Sequence, residues 1–373
     1  MRSDTTITDC RKLPREERQK CRKEMLALTR TNWLRRLTYG PNRNHAQLVN
    51  LWMSIFAVNI RTITNPHWIL DQIKSIETWQ FNNYQNLLYS QILNPALLQY
   101  MNAFKNRKNN PNENLGRELL ELYTLGEGNF SESDVINTSL ALTGLKLDER
   151  NKVIRSKKFH DTRRKTILGK NDIFELNSLV NWLGDQSSTA ENITKRFCNY
   201  AIGAEFNNKE LFEIIKDFRE SNLNLPSLYK SISQNIKYKE CKKLGLRLLD
   251  PITLVSNSIA LIGSNHPNNY SIGIKILNLM GQPFLEPPNP KGWPYGEGWL
   301  SSSRIMSRKK GLMLLLADEE IWDTRNPPKL LTTDLLTIKP INIKLPADSS
   351  RENIALLFSD PSWSFSGPLD LTF

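Results

Sequence analysis

The sequence predicts a mainly α protein: a single multi-helical globular domain with long ordered loops. Three observations carry that expectation. Apolar residues recur at spacings of three and four along most of the chain, the mark of amphipathic helices. The candidate helices are bounded by Pro, Gly, Asn, Ser and Asp in capping positions. No Gly/Ser or Pro-rich linker divides the middle of the 373 residues, and no repeat suggests a solenoid. At 39% hydrophobic and 24% charged residues, the composition is that of a globular chain.

Taken in order, residues 1–24 form a basic, charge-rich segment with a short helix expected from Arg15 onward. Residues 25–326 form the helical domain, and 327–373, rich in Pro, Thr, Asp and Ser, read as an extended tail. The first amphipathic run carries Leu26, Leu28, Trp33, Leu34 and Leu37, and Gly40-Pro41 stops it. Leu48, Leu51, Trp52, Ile55 and Phe56 then place a helix in the core, followed by helical patterns around Trp68–Phe81 and Asn83–Tyr100. Pro66 and Pro95 fit turns or first helical positions.

The most regular stretch is Asn112–Gly126. At about 100° per residue, Leu115, Leu119, Leu120, Leu122 and Tyr123 share one face, and Asn114, Arg117, Glu118 and Glu121 share the other. Gly116 falls inside the apolar arc, where glycine is useful if another backbone comes close. Arg117 and Glu121, at i,i+4, suit a salt bridge. Ser131–Asp134 resembles a capping box opening a second helix that Gly144 closes, which makes a helical hairpin.

From Lys146 to Lys170 basic residues crowd a stretch without helical period, expected as a hairpin or long loop and containing His160-Asp161. Helices resume at Ile173 and continue through Arg196–Ala201, Lys209–Glu220, Ser227–Tyr238 and Ile252–Ile262. Gly281–Leu300 cannot be helical, because prolines and glycines punctuate it. Yet Phe284, Trp293, Tyr295 and Trp299 are too apolar for a free loop, so an ordered loop pinned to the core is expected. Ser301–Ser303 caps a last helix.

Several function classes have no support. P-loop, dinucleotide, G-x-S-x-G and H-E-x-x-H patterns are absent, so no common cofactor is indicated. The four cysteines, Cys10, Cys21, Cys198 and Cys241, show no metal-ligand spacing and suggest no disulfide framework. No apolar run approaches the roughly 20 residues of a transmembrane segment. With no signal peptide at the written start, the expected compartment is the cytoplasm. A net charge of +12 makes an acidic partner conceivable.

The motifs Asn-Glu-Asn-Leu-Gly-Arg-Glu-Leu-Leu-Glu-Leu-Tyr-Thr-Leu-Gly (Asn112–Gly126), Ala141-Leu-Thr-Gly144, His160-Asp161, Lys165-Thr-Ile-Leu-Gly169, Gly281-Gln-Pro283, Trp293 and Trp299-Leu-Ser301 resemble those of a bacterial family, domain of unknown function 1800. The resemblance implies a predominantly α-helical fold and brings no established activity. It also implies frequent export and, through neighbouring genes, a sulfatase-like protein of a second uncharacterised family as partner. Many relatives carry histidines in the helix that here reads Trp52-Met-Ser-Ile-Phe56, where this chain has none.

Three readings of function follow. The first is a binding or assembly protein that uses the Glu118/Glu121 stripe and the proline-rich loop, with Asn114, Arg117, Lys165, Asn289, Trp293 and Trp299 as contact residues. The alternative is a metal-dependent, hydrolase-like enzyme. In it Glu118, Glu121 and His160 converge as ligands or acid/base groups, and Asp161 orients the imidazole. A second alternative is a polyanion or nucleic-acid binder built on Lys146–Lys170.

Overall fold

The computed structural model describes residue 10 and residues 13–203, 206, 208–327, 338–344 and 348–372. Positions 1–9 of the basic segment, and 328–337 and 345–347 of the expected tail, lie outside the described residues. Among the described residues the chain forms 17 α-helices and three two-stranded antiparallel ribbons, so the mainly α expectation holds.

Helix α1 (Arg15–Tyr39) starts at the expected residue but does not stop after a turn or two. It runs on through the first amphipathic stretch and buries Met25, Trp33, Leu34 and Leu37. Ahead of it, Cys10 and Cys21 form a disulfide across Cα atoms 5.7 Å apart. This corrects the reading of four independent cysteines. Leu13 N–H donates to the Cys10 carbonyl at 3.3 Å just ahead of α1, and an uninformative separation of 11 residues becomes a contact. Cys198 and Cys241 are free and buried.

Helix α2 (Arg43–Ile55) lies at the centre. Trp52 packs against the rings of Phe56, Tyr84 and Phe197, and its Nε1 donates to the Tyr229 hydroxyl at 3.0 Å. Trp52 therefore joins four parts of the chain in a fully buried cluster. Around it run α3 (His67–Trp79), α4 (Tyr84–Ile92) and α5 (Pro95–Tyr100), the last two capped by the Asn83 and Asn94 side chains. Then come α6 (Asn114–Glu121), α7 (Glu132–Ala141), and two hairpins, β1 (Leu145–Leu147) with β2 (Val153–Arg155) and β3 (Lys165–Ile167) with β4 (Lys170–Asp172). Leu168 and Gly169, both at positive φ, make the second hairpin's two-residue turn.

Helices α8 (Leu176–Gly184), α9 (Ser187–Ile202), α10 (Asn208–Glu220), α11 (Leu225–Gln234) and α12 (Ile236–Leu244) follow, with α9 packed on α2, α8 and α10. After β5 (Arg247–Leu248), α13 (Pro251–Ile262) starts on an Asp250 cap and ends at Gly263. Helix α14 (Pro267–Leu279) was not foreseen. Its signals are a His266 cap and Pro267 at the first turn, and Gly273 lets α1 approach so closely that a Cβ there would lie 2.8 Å from Leu34. Helices α13 and α14 pack against α1, and α15 (Ser302–Leu316) and α16 (Glu319–Asp323) pack on α14.

The expected extended tail is also corrected where it is described. Arg351–Ser359 forms α17, packed on α15, and β6 (Phe365–Ser366) pairs with β5. Ile354, Leu357, Phe358, Trp363, Leu369 and Leu371 are buried. These residues are spread through polar sequence, so the burial face emerges only once the chain folds back. Among the described residues no helix is long and apolar enough to cross a membrane.

Candidate functional site

The α6–α7 hairpin sets the site's first wall. Ser131 and Asp134 form the expected capping box of α7. Gly116 meets α7 at Ser139, where a Cβ would stand 2.2 Å from the hydroxyl and 3.0 Å from the backbone nitrogen. That approach is why an apolar helix face carries a glycine. Helix α6 is shorter than its sequence pattern, because after Glu121 the chain turns and the Tyr123 N–H reaches back to the Glu118 carbonyl at 3.1 Å.

The polar face divides in two. Arg117 does not pair with Glu121 as the spacing suggested. It reaches toward the N-terminus of α7, bonding both oxygens of Glu132 at 2.9 and 2.7 Å and Glu113 at 3.3 Å. A two-pronged partner in the facing helix outcompetes a same-helix neighbour. Asn114 is exposed at the start of α6. Glu121 instead bonds Lys291 of the proline-rich loop at 3.2 Å. Glu118 stands beside it, half-buried, its carboxylate without a hydrogen-bond or ion-pair partner among the described residues. Burial, and then the neighbouring Glu121 charge, push its carboxyl above the usual range, and Lys291, Arg196 and Arg117 offset this only in part.

The proline-rich loop, Gly281–Leu300, is ordered as expected, and the reasons are specific. Gln282, buried, accepts from the Ile252 N–H at 2.9 Å at the head of α13. Glu286, also buried, pairs with Arg30 and Arg61. The Leu285 carbonyl accepts from Ile60 N–H at 2.9 Å. Gly292, at φ +89°, passes so near the end of α2 that a Cβ would fall 2.2 Å from the Ser54 carbonyl.

Helix α9 ties this loop to α6 with one stripe of side chains. Asn192 donates to the Thr124 carbonyl at 2.8 Å, and Arg196 donates to the Leu122 carbonyl. Asn199 donates to the Tyr295 hydroxyl at 3.0 Å, and Tyr200 donates to the Trp293 carbonyl at 2.7 Å. Burial pushes the Tyr200 hydroxyl up to about 12, so it remains a donor at neutral pH. Sequence reasoning missed this stripe. Its signal was present as polar residues spaced by three and four beside the buried Ile193 and Phe197.

The result is a cleft of about 560 Å³ between the end of α6, α9 and the loop, with Glu121, Arg196, Asn289, Lys291, Trp293 and Tyr295 among its walls. Asn289 and Trp293 thus sit where the polar stripe of α6 opens. Trp299 does not. It is buried at 1% exposure and packs with Trp293 at 6.3 Å between ring centroids, so it supports the wall rather than facing a partner.

His160 and Asp161 take their partners elsewhere. His160 Nδ1 lies 3.0 Å from the Thr143 carbonyl, an acceptor only, so Nδ1 carries the proton and Nε2 faces Arg155 at 3.4 Å. Burial and then the Arg155 charge hold this imidazole below its ordinary value, and so neutral. Asp161 does not orient it. The Asp161 carboxylate is buried against Arg163 and Lys165, whose ammonium also donates to the Asp161 and Arg163 carbonyls at 2.7 and 2.6 Å. Lys165 is buried with it and offers no contact surface. Among the described residues no three His, Cys, Asp or Glu side chains are grouped so as to hold a metal ion. Glu118, Glu121 and His160 are therefore not assembled into one ligand set.

Fold and cleft together define a helical protein whose polar, aromatic-walled cleft is built from a helix end, a helix stripe and a pinned loop. The chain belongs to the family described as protein of unknown function (DUF1800), whose model matches residues 2–359. No curated protein and no solved structure matches it.

Proposed function

We propose that this is a binding protein whose cleft receives a cationic side chain presented by a partner protein. The observation that carries the reading is Glu118: a half-buried carboxylate with no partner among the described residues, next to Glu121, which itself lines the cleft with Lys291, Trp293 and Tyr295. A guanidinium or ammonium entering there would gain two carboxylates and ring faces together. Lys291 occupies the position in the free protein. Its side chain is 66% exposed, so an incoming cation displaces it at little expense.

The partner that the family resemblance brings forward is the sulfatase-like protein. The Cys10–Cys21 disulfide supports an oxidising compartment for both. The test is calorimetric titration of that protein with the wild type, Glu118→Gln and Trp293→Ala. Both variants should weaken binding by about tenfold or more, the range for a central aromatic or charged contact, with unchanged melting temperature. Undiminished binding in both would overturn the reading.

A further inference from the structure

The basic stretch Lys146–Lys170 does not act as one patch. Arg155 pairs with Glu175, Arg163 and Lys165 with Asp161, and Lys170 with Asp172. Of the cations left without such a pair, Lys158 lies in a groove of about 690 Å³ that it and Phe159 share with Lys105, Arg107 and Lys108. No carboxylate lines it, and none of these four cations forms an ion pair among the described residues.

The groove is held in place. Arg107 and Asn110 exchange backbone hydrogen bonds at 3.3 and 2.9 Å, making a tight turn with Lys108 at its tip. Lys108 N–H donates to the Phe159 carbonyl at 2.9 Å, joining the turn to the opposite wall. Asn106, buried below, donates to the Ser139 carbonyl at 2.8 Å and accepts from Asn112 N–H at 2.9 Å. The opposite wall is anchored by the Phe159 and His160 N–H groups on the Ser156 carbonyl, at 3.1 and 3.0 Å. His160 thus keeps the Lys158-Phe159 wall in register. Four like charges held together by backbone geometry repel one another and are relieved by an anion.

We infer that this groove binds a free chain of linked phosphates, of the inorganic polyphosphate type. Charge density is the reason for phosphate. The choice against nucleic acid rests on Phe159, the groove's single aromatic side chain. Its ring already carries Arg107, at 4.5 Å from the guanidinium carbon to the centroid, and Lys158 at 5.6 Å, which leaves no open platform for bases.

The test uses the full chain in phosphate-free buffer, titrated calorimetrically with sodium tripolyphosphate. Lys108→Glu/Lys158→Glu is compared with Lys309→Glu/Lys310→Glu, a pair of exposed positions on α15 that changes net charge equally. Saturable binding is expected, falling about tenfold or more in the groove variant and less than about threefold in the control. It should weaken by roughly twentyfold between about 50 and about 200 mM salt if the three phosphates of the probe are neutralised. Melting curves establish that the variants fold. Equal losses in both pairs, or no saturable binding, would overturn the proposal. So would tighter binding of a single-stranded oligonucleotide of equal charge, or binding only to vesicles bearing phosphorylated headgroups.

Discussion

Asp161→Asn isolates the buried pair that locks the second hairpin to its neighbours. In the wild type both Asp161 and Lys165 side chains are 2% exposed. The carboxylate accepts from Arg163 N–H at 2.9 Å, from the Arg163 guanidinium, and from Lys165 Nζ at 3.3 Å. Removing one partner of a buried pair costs about 3–5 kcal/mol when the other charge is stranded. Here Lys165 keeps two carbonyl acceptors, so a loss of about 2–3 kcal/mol is expected at pH 7. Arg163 is exposed and is left out of that figure.

The pH dependence fixes the cause. The bond to Arg163 first, and then Lys165, hold the Asp161 carboxyl well below the usual carboxylate range. Its contribution is therefore fully present above the unfolded value of about 3.9 and is lost as pH falls through the depressed folded one. Urea unfolding of wild type and Asp161→Asn should give a constant difference from pH 7 to pH 5. Below about pH 3.9 it should shrink by about 1.4 kcal/mol per unit. A difference below about 0.5 kcal/mol at pH 7, or one that does not change in acid, would refute the argument that a buried charge pair is at work.

Gly116→Ala should destabilise the protein by about 1–2 kcal/mol in urea unfolding, because overpacking against Ser139 outweighs the gain of about 1 kcal/mol in helix propensity. Increased stability would mean that α6 and α7 do not meet there. Alkylation in denaturant without reductant should label two cysteines and after reduction four, read by intact mass; four labels before reduction would remove the Cys10–Cys21 bond. Tyr200→Phe should raise hydrogen exchange across the loop around Trp293 and leave α2 unchanged, since it deletes one clamp and no apolar packing. Equal exchange in the two proteins would show that the clamp is dispensable.

Much of the fold was legible because single-helix chemistry is local. Ser131 and Ser301 cap helices where their sequence context placed them, and Trp52 is in the core as its spacing implied. The proline-rich loop was legible as ordered, since its aromatics had to be covered. Long-range pairing was not. Nothing in the spacing of Arg117 and Glu121 says that Glu132 and Lys291 lie closer, and nothing around Phe365 says that β5 awaits it. The cleft was half legible: Glu121, Asn289 and Trp293 stand out in the sequence, while Asn192, Arg196, Asn199 and Tyr200 carry only the period of a helix.

The packing of α1 has a consequence for how the chain is made. Helix α1, with Trp33, Leu34 and Leu37 buried, packs against α2 and also against α13 and α14, which begin at Pro251 and Pro267. At about 5–20 residues per second, the interval between Tyr39 and Pro251 takes roughly 10–40 s to translate. For that time α1 lacks the cover that α13 and α14 provide. The core closes later still, when Leu369 N–H reaches the Ala201 carbonyl at 2.7 Å. A polypeptide ending at Ser359 would leave the β5 strand, Tyr238 and the end of α9 without their last cover, and would be a natural substrate for degradation.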